Sequence, residues 1–135
     1  MPNEPPAEIK SLIDTVLGGF NGKNSAQYAS AFSEDAVVID GMAPYRWTGP
    51  NAPARWFSDA EKWAHDLGVE NERITCDSIV HSSVVATNAY VVLAATLSIS
   101  LKGGQTSSRA GILTFTFAKR GDKWKAESQA WGRLS

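Results

Sequence analysis

The sequence predicts an α+β domain, three helices followed by a layer of long antiparallel strands, because its apolar pattern changes period part-way along. Before Gly68, two segments repeat their apolar residues at helical spacing; from Glu70 onward the repeat is two. Turn-forming pairs, Gly103-Gly104 and Gly121-Asp122, then divide the second half into strands. Helices grouped ahead of such a sheet must pack on one of its faces to hide both apolar surfaces.

After a short Pro-rich lead, expected to be flexible over residues 1–6, Ile9, Leu12, Ile13, Val16, Leu17 and Phe20 form the one-sided stripe of a first helix. Gly18-Gly19 near its end and Asn21-Gly22 after it supply stop signals. Asn24 or Ser25 can cap a second helix of two to three turns, with Tyr28, Ala29 and Phe32 on its apolar side, until Ser33-Glu34-Asp35 interrupts. Ala36–Ile39 reads as a strand bounded by Asp40-Gly41, with Tyr45-Arg46-Trp47-Thr48 as its return partner. Pro50 or Pro53 can open a third helix, in which Trp56, Phe57, Ala60, Trp63, Ala64 and Leu67 keep helical spacing until Gly68. Four long strands follow near 70–80, 84–101, 107–119 and 123–134, the first two separated by a turn at His81-Ser82-Ser83. No internal repeat, low-complexity segment or linker divides the 135 residues, so one domain is expected.

Composition narrows the function classes. Thirteen basic and fourteen acidic side chains leave a net charge of -1, and no basic cluster exceeds Lys119-Arg120, so the electrostatic footprint of a nucleic-acid binder is missing. Cys76 is the one cysteine, which excludes an internal disulfide and a thiolate metal site within the chain. No stretch reaches the roughly eighteen apolar residues of a membrane span, and the start lacks the pattern of a secretory signal, so a soluble, cytoplasmic protein is expected. His65 and His81 are too far apart for a local metal motif, and no metal or other cofactor is expected. Five Trp among 135 residues require housing for large rings.

The order of elements, together with three segments, resembles the nuclear-transport-factor-2-like superfamily and its SnoaL-like, ketosteroid-isomerase-like branch. The segments are Tyr28–Val38 with its Phe-acidic-acidic-Ala pattern, Trp47-Thr48-Gly49 ahead of the third helix, and Lys119–Lys125 running on to Gln129-Ala130-Trp131. The resemblance covers nearly the whole chain. It implies a cystatin-like, cone-shaped half-barrel in which a strongly bent mixed or antiparallel sheet wraps the helices around an apolar, aromatic-lined cavity for a small hydrophobic molecule. It also implies a homodimer formed through the outer sheet face.

Within that frame Asp40 lines up with the family's catalytic base at the end of the first strand, where a carboxylate can shuttle a proton between carbons of a substrate. The alternative is that Asp40 merely opens the Asp-Gly turn. The oxyanion hole of ketosteroid isomerase, made of a Tyr and a protonated Asp in an apolar site, is not matched: Val16 falls at the Tyr, and Leu113 or its neighbour Gly111 or Ile112 at the Asp. At about 3 kcal/mol per oxyanion donor, steroid isomerisation is not expected. The lining is expected to draw on Val16, Phe20, Trp56, Phe57, Ala60 and Trp63 from the helices, although such an aromatic stripe also suits simple core packing. Tyr45, Tyr90, Arg109, Gln129 and Trp131 are candidates whose strand parity leaves their face open. Three functions follow: cofactor-independent isomerase-, cyclase- or lyase-type chemistry through Asp40; a non-catalytic homodimeric module; and an epoxide hydrolase, which would need a relay involving Asp40 and Arg109.

Overall fold

A computed structural model describes residues 4–134, so residues 1–3 of the expected flexible lead lie outside the described residues; within the lead, Pro5 is buried. Helix α1 spans Ala7–Asn21 and buries Ile9, Ile13 and Val16, three positions of the stripe, against the sheet. It does not stop at Gly18-Gly19. It runs through both and ends at Gly22, whose N–H returns to the Gly18 carbonyl, because Gly19 is needed inside the helix: a Cβ there would lie 2.6 Å from the backbone N of Tyr28 on α2.

Helix α2, Ser25–Ser30, is capped by Asn24, whose side chain accepts from Gln27 N at 3.0 Å. At six residues it is shorter than expected, and Phe32 belongs to the next strand, β1, Phe32–Ile39. The sheet captures the chain early: the Ala31 carbonyl accepts from Ala126 N at 2.8 Å, and Phe32 pairs with Ala126. Strand β2 is only Arg46–Trp47, and helix α3 covers Ala52–Asp66 with Pro53 in its first turn. Of the two prolines that could open it, Pro53 holds the place where a missing N–H costs nothing.

Strands β3 (Val69–Val85), β4 (Asn88–Leu101), β5 (Thr106–Arg120) and β6 (Lys123–Arg133) complete one six-stranded sheet in the order β2-β1-β6-β5-β4-β3. It is mixed, since β1 runs parallel to β6 and every other pairing is antiparallel. The turn expected at His81-Ser82-Ser83 is absent. His81, Ser82 and Ser83 pair with Val92, Val91 and Tyr90, and the hairpin reverses at Ala86-Thr87 instead, with Ala86 in the left-handed region at φ 55°. Serine's turn preference yielded to ladder pairing with β4. Register shifts in β3 and between β5 and β6 are bulges of the kind that bend a strand and curve a sheet.

One sheet face carries the core. Ala89, Val91, Leu93 and Ala95 on β4 alternate inward beside Leu113, Phe115 and Phe117 on β5, and the helices cover them. Each such large side chain contributes roughly 1.5–3 kcal/mol by leaving water. The opposite parity, including Tyr90 at 44 % exposure, faces away.

Candidate functional site

Beyond the aromatic core, between α1, α3 and the inner sheet face, the side chains leave a cavity of about 210 Å³. Helical spacing builds one wall: Trp56, Ala60 and Trp63 on α3 face Val16 and Phe20 on α1. The indole of Trp56 stacks at 6.2 Å from the Phe20 ring and lies tilted at 5.4 Å from Tyr28. Strand alternation builds the other wall, where Leu97 sits in register with both Ile74 and Arg109, and Leu113 with Trp131. Gly111 gives Trp131 its room, since a Cβ there would lie 2.3 Å from the indole.

Asp40 follows the last residue of β1 and lines this cavity. Both of its carboxylate oxygens accept hydrogen bonds. Oδ1 accepts from its neighbour Gly41 N at 2.6 Å, which tightens the turn, while Oδ2 accepts from Trp56 Nε1 at 2.7 Å, which ties the carboxylate to the aromatic wall. A carboxylate offers about four lone-pair sites, so this one keeps acceptor capacity toward the cavity.

Val16 and Leu113 both line the cavity and present hydrocarbon to it. Two donors of the wall beside Asp40 are engaged: the Tyr28 hydroxyl donates to Gln129 Oε1 at 2.9 Å and Trp56 to Asp40. Burial raises the Tyr28 phenol well above its ordinary pKa, with the Gln129 hydrogen bond opposing and the nearby Asp40 charge adding to the rise. It therefore remains a neutral donor. Tyr28→Phe would strand the buried Gln129 oxygen. Urea unfolding should show a loss of about 1–3 kcal/mol, while Tyr28→Phe combined with Gln129→Leu should recover part of it; equal losses would mean that the pair does not interact.

Of the candidate residues, Val16, Phe20, Asp40, Trp56, Ala60, Trp63, Arg109, Gln129 and Trp131 come together around this cavity. Three stand elsewhere. Phe57, next to Trp56, is turned about 100° around the helix into the core at 3 % exposure. Tyr45 sits in the β1–β2 turn with φ 76° and is 61 % exposed. Tyr90 has the outward parity on β4 and meets His81 at 5.9 Å between rings. Arg109 stacks over Trp63 at 5.7 Å, and no hydrogen bond or ion pair joins it to Asp40 as an epoxide-hydrolase relay would require.

Among the lining residues that sequence reasoning missed are the polar or polarisable side chains of Tyr28, Met42, Glu72 and Arg133. Burial raises the Glu72 carboxyl above its usual range, against the opposing charge of Lys23 and with added repulsion from Asp40. The period-two pairing of Glu72 with Ile74 was the available signal. Among the described residues no group of three or more His, Cys, Asp or Glu could hold a metal ion, and no helix is long and apolar enough to cross a membrane.

The SnoaL-like domain model matches residues 9–130. The chain belongs to the SnoaL-like family. No curated protein matches this SnoaL-like domain by sequence, but solved structures share its fold. Hexachlorocyclohexane dehydrochlorinase LinA-type3 from Novosphingobium barchaimii LL02 superposes with a TM-score of 0.81 at 16% identity, covering 96% of this chain and 86% of that one. A provisionally assigned scytalone dehydratase from Novosphingobium aromaticivorans DSM 12444 gives 0.76 at 15% identity, covering 95% and 83%. Aln2 from a Streptomyces species gives 0.73 at 16% identity, covering 93% and 88%. At these identities the likeness is one of fold.

Proposed function

We propose that this SnoaL-like domain binds a small apolar, ring-bearing molecule in its cavity and moves a proton on it with Asp40, in a cofactor-independent isomerase-, cyclase- or lyase-type reaction. The observation that carries the reading is the Asp40 carboxylate, fixed by Trp56 Nε1 at 2.7 Å in the wall of a cavity otherwise dominated by aromatic and aliphatic groups. A positioned base with spare lone pairs, set against hydrocarbon, suits abstraction of a proton from carbon. Size limits the guest. A cavity of about 150 Å³ lined by Leu, Ile and Phe admits benzene, so about 210 Å³ favours a single substituted ring over a steroid. The names of two similar structures, a dehydrochlorinase and a dehydratase, denote eliminations, which supports the lyase member of the set.

The test is solvent exchange. Monocyclic carbon acids, such as substituted cyclohexanones and cyclohexenones, are incubated with the protein in D2O and followed by proton NMR. Exchange above the protein-free rate for at least one ring compound supports the reading. Exchange at the blank rate throughout, with no binding of any ring compound, would remove it. A non-catalytic module whose own side chains fill its centre is disfavoured by the cavity.

The proposal includes a homodimer through the outer sheet face, supported by the exposed ring of Tyr90 beside the partly exposed Val92, Ile112 and Thr114. Light scattering should report twice the chain mass of 14.5 kDa, and Ile112→Glu should return the monomer. A native monomer at micromolar concentration would count against this association.

A further inference from the structure

Resting on the pocket proposed above, we infer that its ligand carries an anionic oxygen group, a carboxylate or comparable oxyanion, seated on Arg109. Arg109 projects from β5 in the cross-strand row that contains Leu97 and Ile74, so a guanidinium shares one cavity wall with two aliphatic side chains. Its guanidinium carbon lies over the Trp63 ring, 5.7 Å from the ring centroid. A cation–π contact of this kind uses no hydrogen-bond acceptor and leaves the fork of N–H donors available for bidentate contact.

The company Arg109 keeps differs from that of the other arginines with described partners. Arg120 pairs with Glu127 and Asp35, and Arg55 donates to the carbonyls of Pro50 and Thr48. Among the described residues no carboxylate forms an ion pair with Arg109 and no oxygen accepts a hydrogen bond from it. Glu72, the other acid on the cavity wall, feels Lys23, Asp40 and Glu61 instead. A half-buried cation facing hydrocarbon costs free energy that a charge-assisted, bidentate oxyanion contact offsets. Arg133 lines the same cavity. The ligand class that follows is a ring acid: one apolar ring against Phe20, Trp56 and Trp131, its carboxylate on Arg109.

Calorimetric titration of the full chain at neutral pH with 4-isopropylbenzoate and with its neutral counterpart, 4-isopropylbenzyl alcohol, tests this directly. The acid should bind at least about tenfold tighter than the alcohol, the scale of one charged hydrogen-bonded contact. Arg109→Met, which keeps a long side chain against Trp63 without the charge, should erase that ratio, whereas Arg109→Lys should keep only part of it. Circular dichroism checks that each variant is folded. Equal binding of acid and alcohol to the native protein overturns the anion subsite while leaving the pocket reading intact. A preference for the acid that persists in Arg109→Met overturns the assignment to Arg109. Failure of both probes to bind the native protein removes the pocket reading and this inference with it.

Discussion

Asp40→Asn should slow deuterium exchange into a ring substrate by about 10²–10⁴-fold, the usual contribution of a positioned general base. Stability should fall only modestly. The Asn side chain has one acceptor oxygen where the carboxylate has two, so it can satisfy either Gly41 N–H or Trp56 Nε1–H but turns an NH2 toward the other. In a part-buried site that mismatch costs about 1 kcal/mol. Ligand affinity should hold, because the guest's apolar contacts with Phe20, Trp56 and Trp131 remain, so the loss belongs to turnover. Trp56→Phe provides a positioning control: the ring stays, the donor to Oδ2 goes, and the exchange rate should fall by less than in Asp40→Asn. An exchange rate in Asp40→Asn equal to the native one would take Asp40 out of the mechanism and leave it as the residue that closes the Asp-Gly turn.

Gly19→Ala should destabilise the fold by roughly 2–3 kcal/mol, the cost of forcing a methyl into a packed interface. A Cβ at Gly19 would meet the backbone N and Cα of Tyr28 at 2.6 and 2.8 Å, and backbone cannot step aside as a side-chain tip can. The neighbouring glycine supplies the contrast. At Gly18 the nearest atom to a new Cβ is the tip of the Gln27 side chain at 3.0 Å, so Gly18→Ala should be neutral or gain up to about 1 kcal/mol from helix propensity. Urea unfolding of the two variants would separate them. The effect should also reach the cavity, because pushing α2 off α1 moves Tyr28 away from Gln129. Equal stability of the two variants would show that the helices do not approach as described.

That contrast also marks how far the sequence was legible. Periodicity located α1, α3 and the four long strands because each buries one face along its length, and a repeat of three to four or of two is the direct imprint of that burial. Gly18-Gly19 misled because a glycine allowing close approach of two helices carries the same letter as one that ends a helix. Phe32 misled because α2 is too short to show a period of its own, and what decides its end is the long-range hydrogen bond from Ala126. On the cavity wall, family order singles out Asp40 and helical spacing Trp56 and Trp63, whereas the face of Trp131 was left open by strand parity. Tyr90 and Tyr45 were not legible, since strand parity and a turn at φ 76° depend on register that only the assembled sheet supplies. Tyr28 was read as an apolar helix residue; its hydroxyl finds Gln129 across 101 positions of sequence.

The measurement that bears most directly on the central claim is a crystal structure of the protein with a monocyclic ligand that supports exchange. The ligand should lie within the cavity, its ring between Trp56 and Trp131 and its exchanging carbon within about 3.5 Å of an Asp40 carboxylate oxygen, the separation of a near-attack geometry. A ligand bound outside the cavity, or inside it with Asp40 turned away and out of reach, would contradict the account.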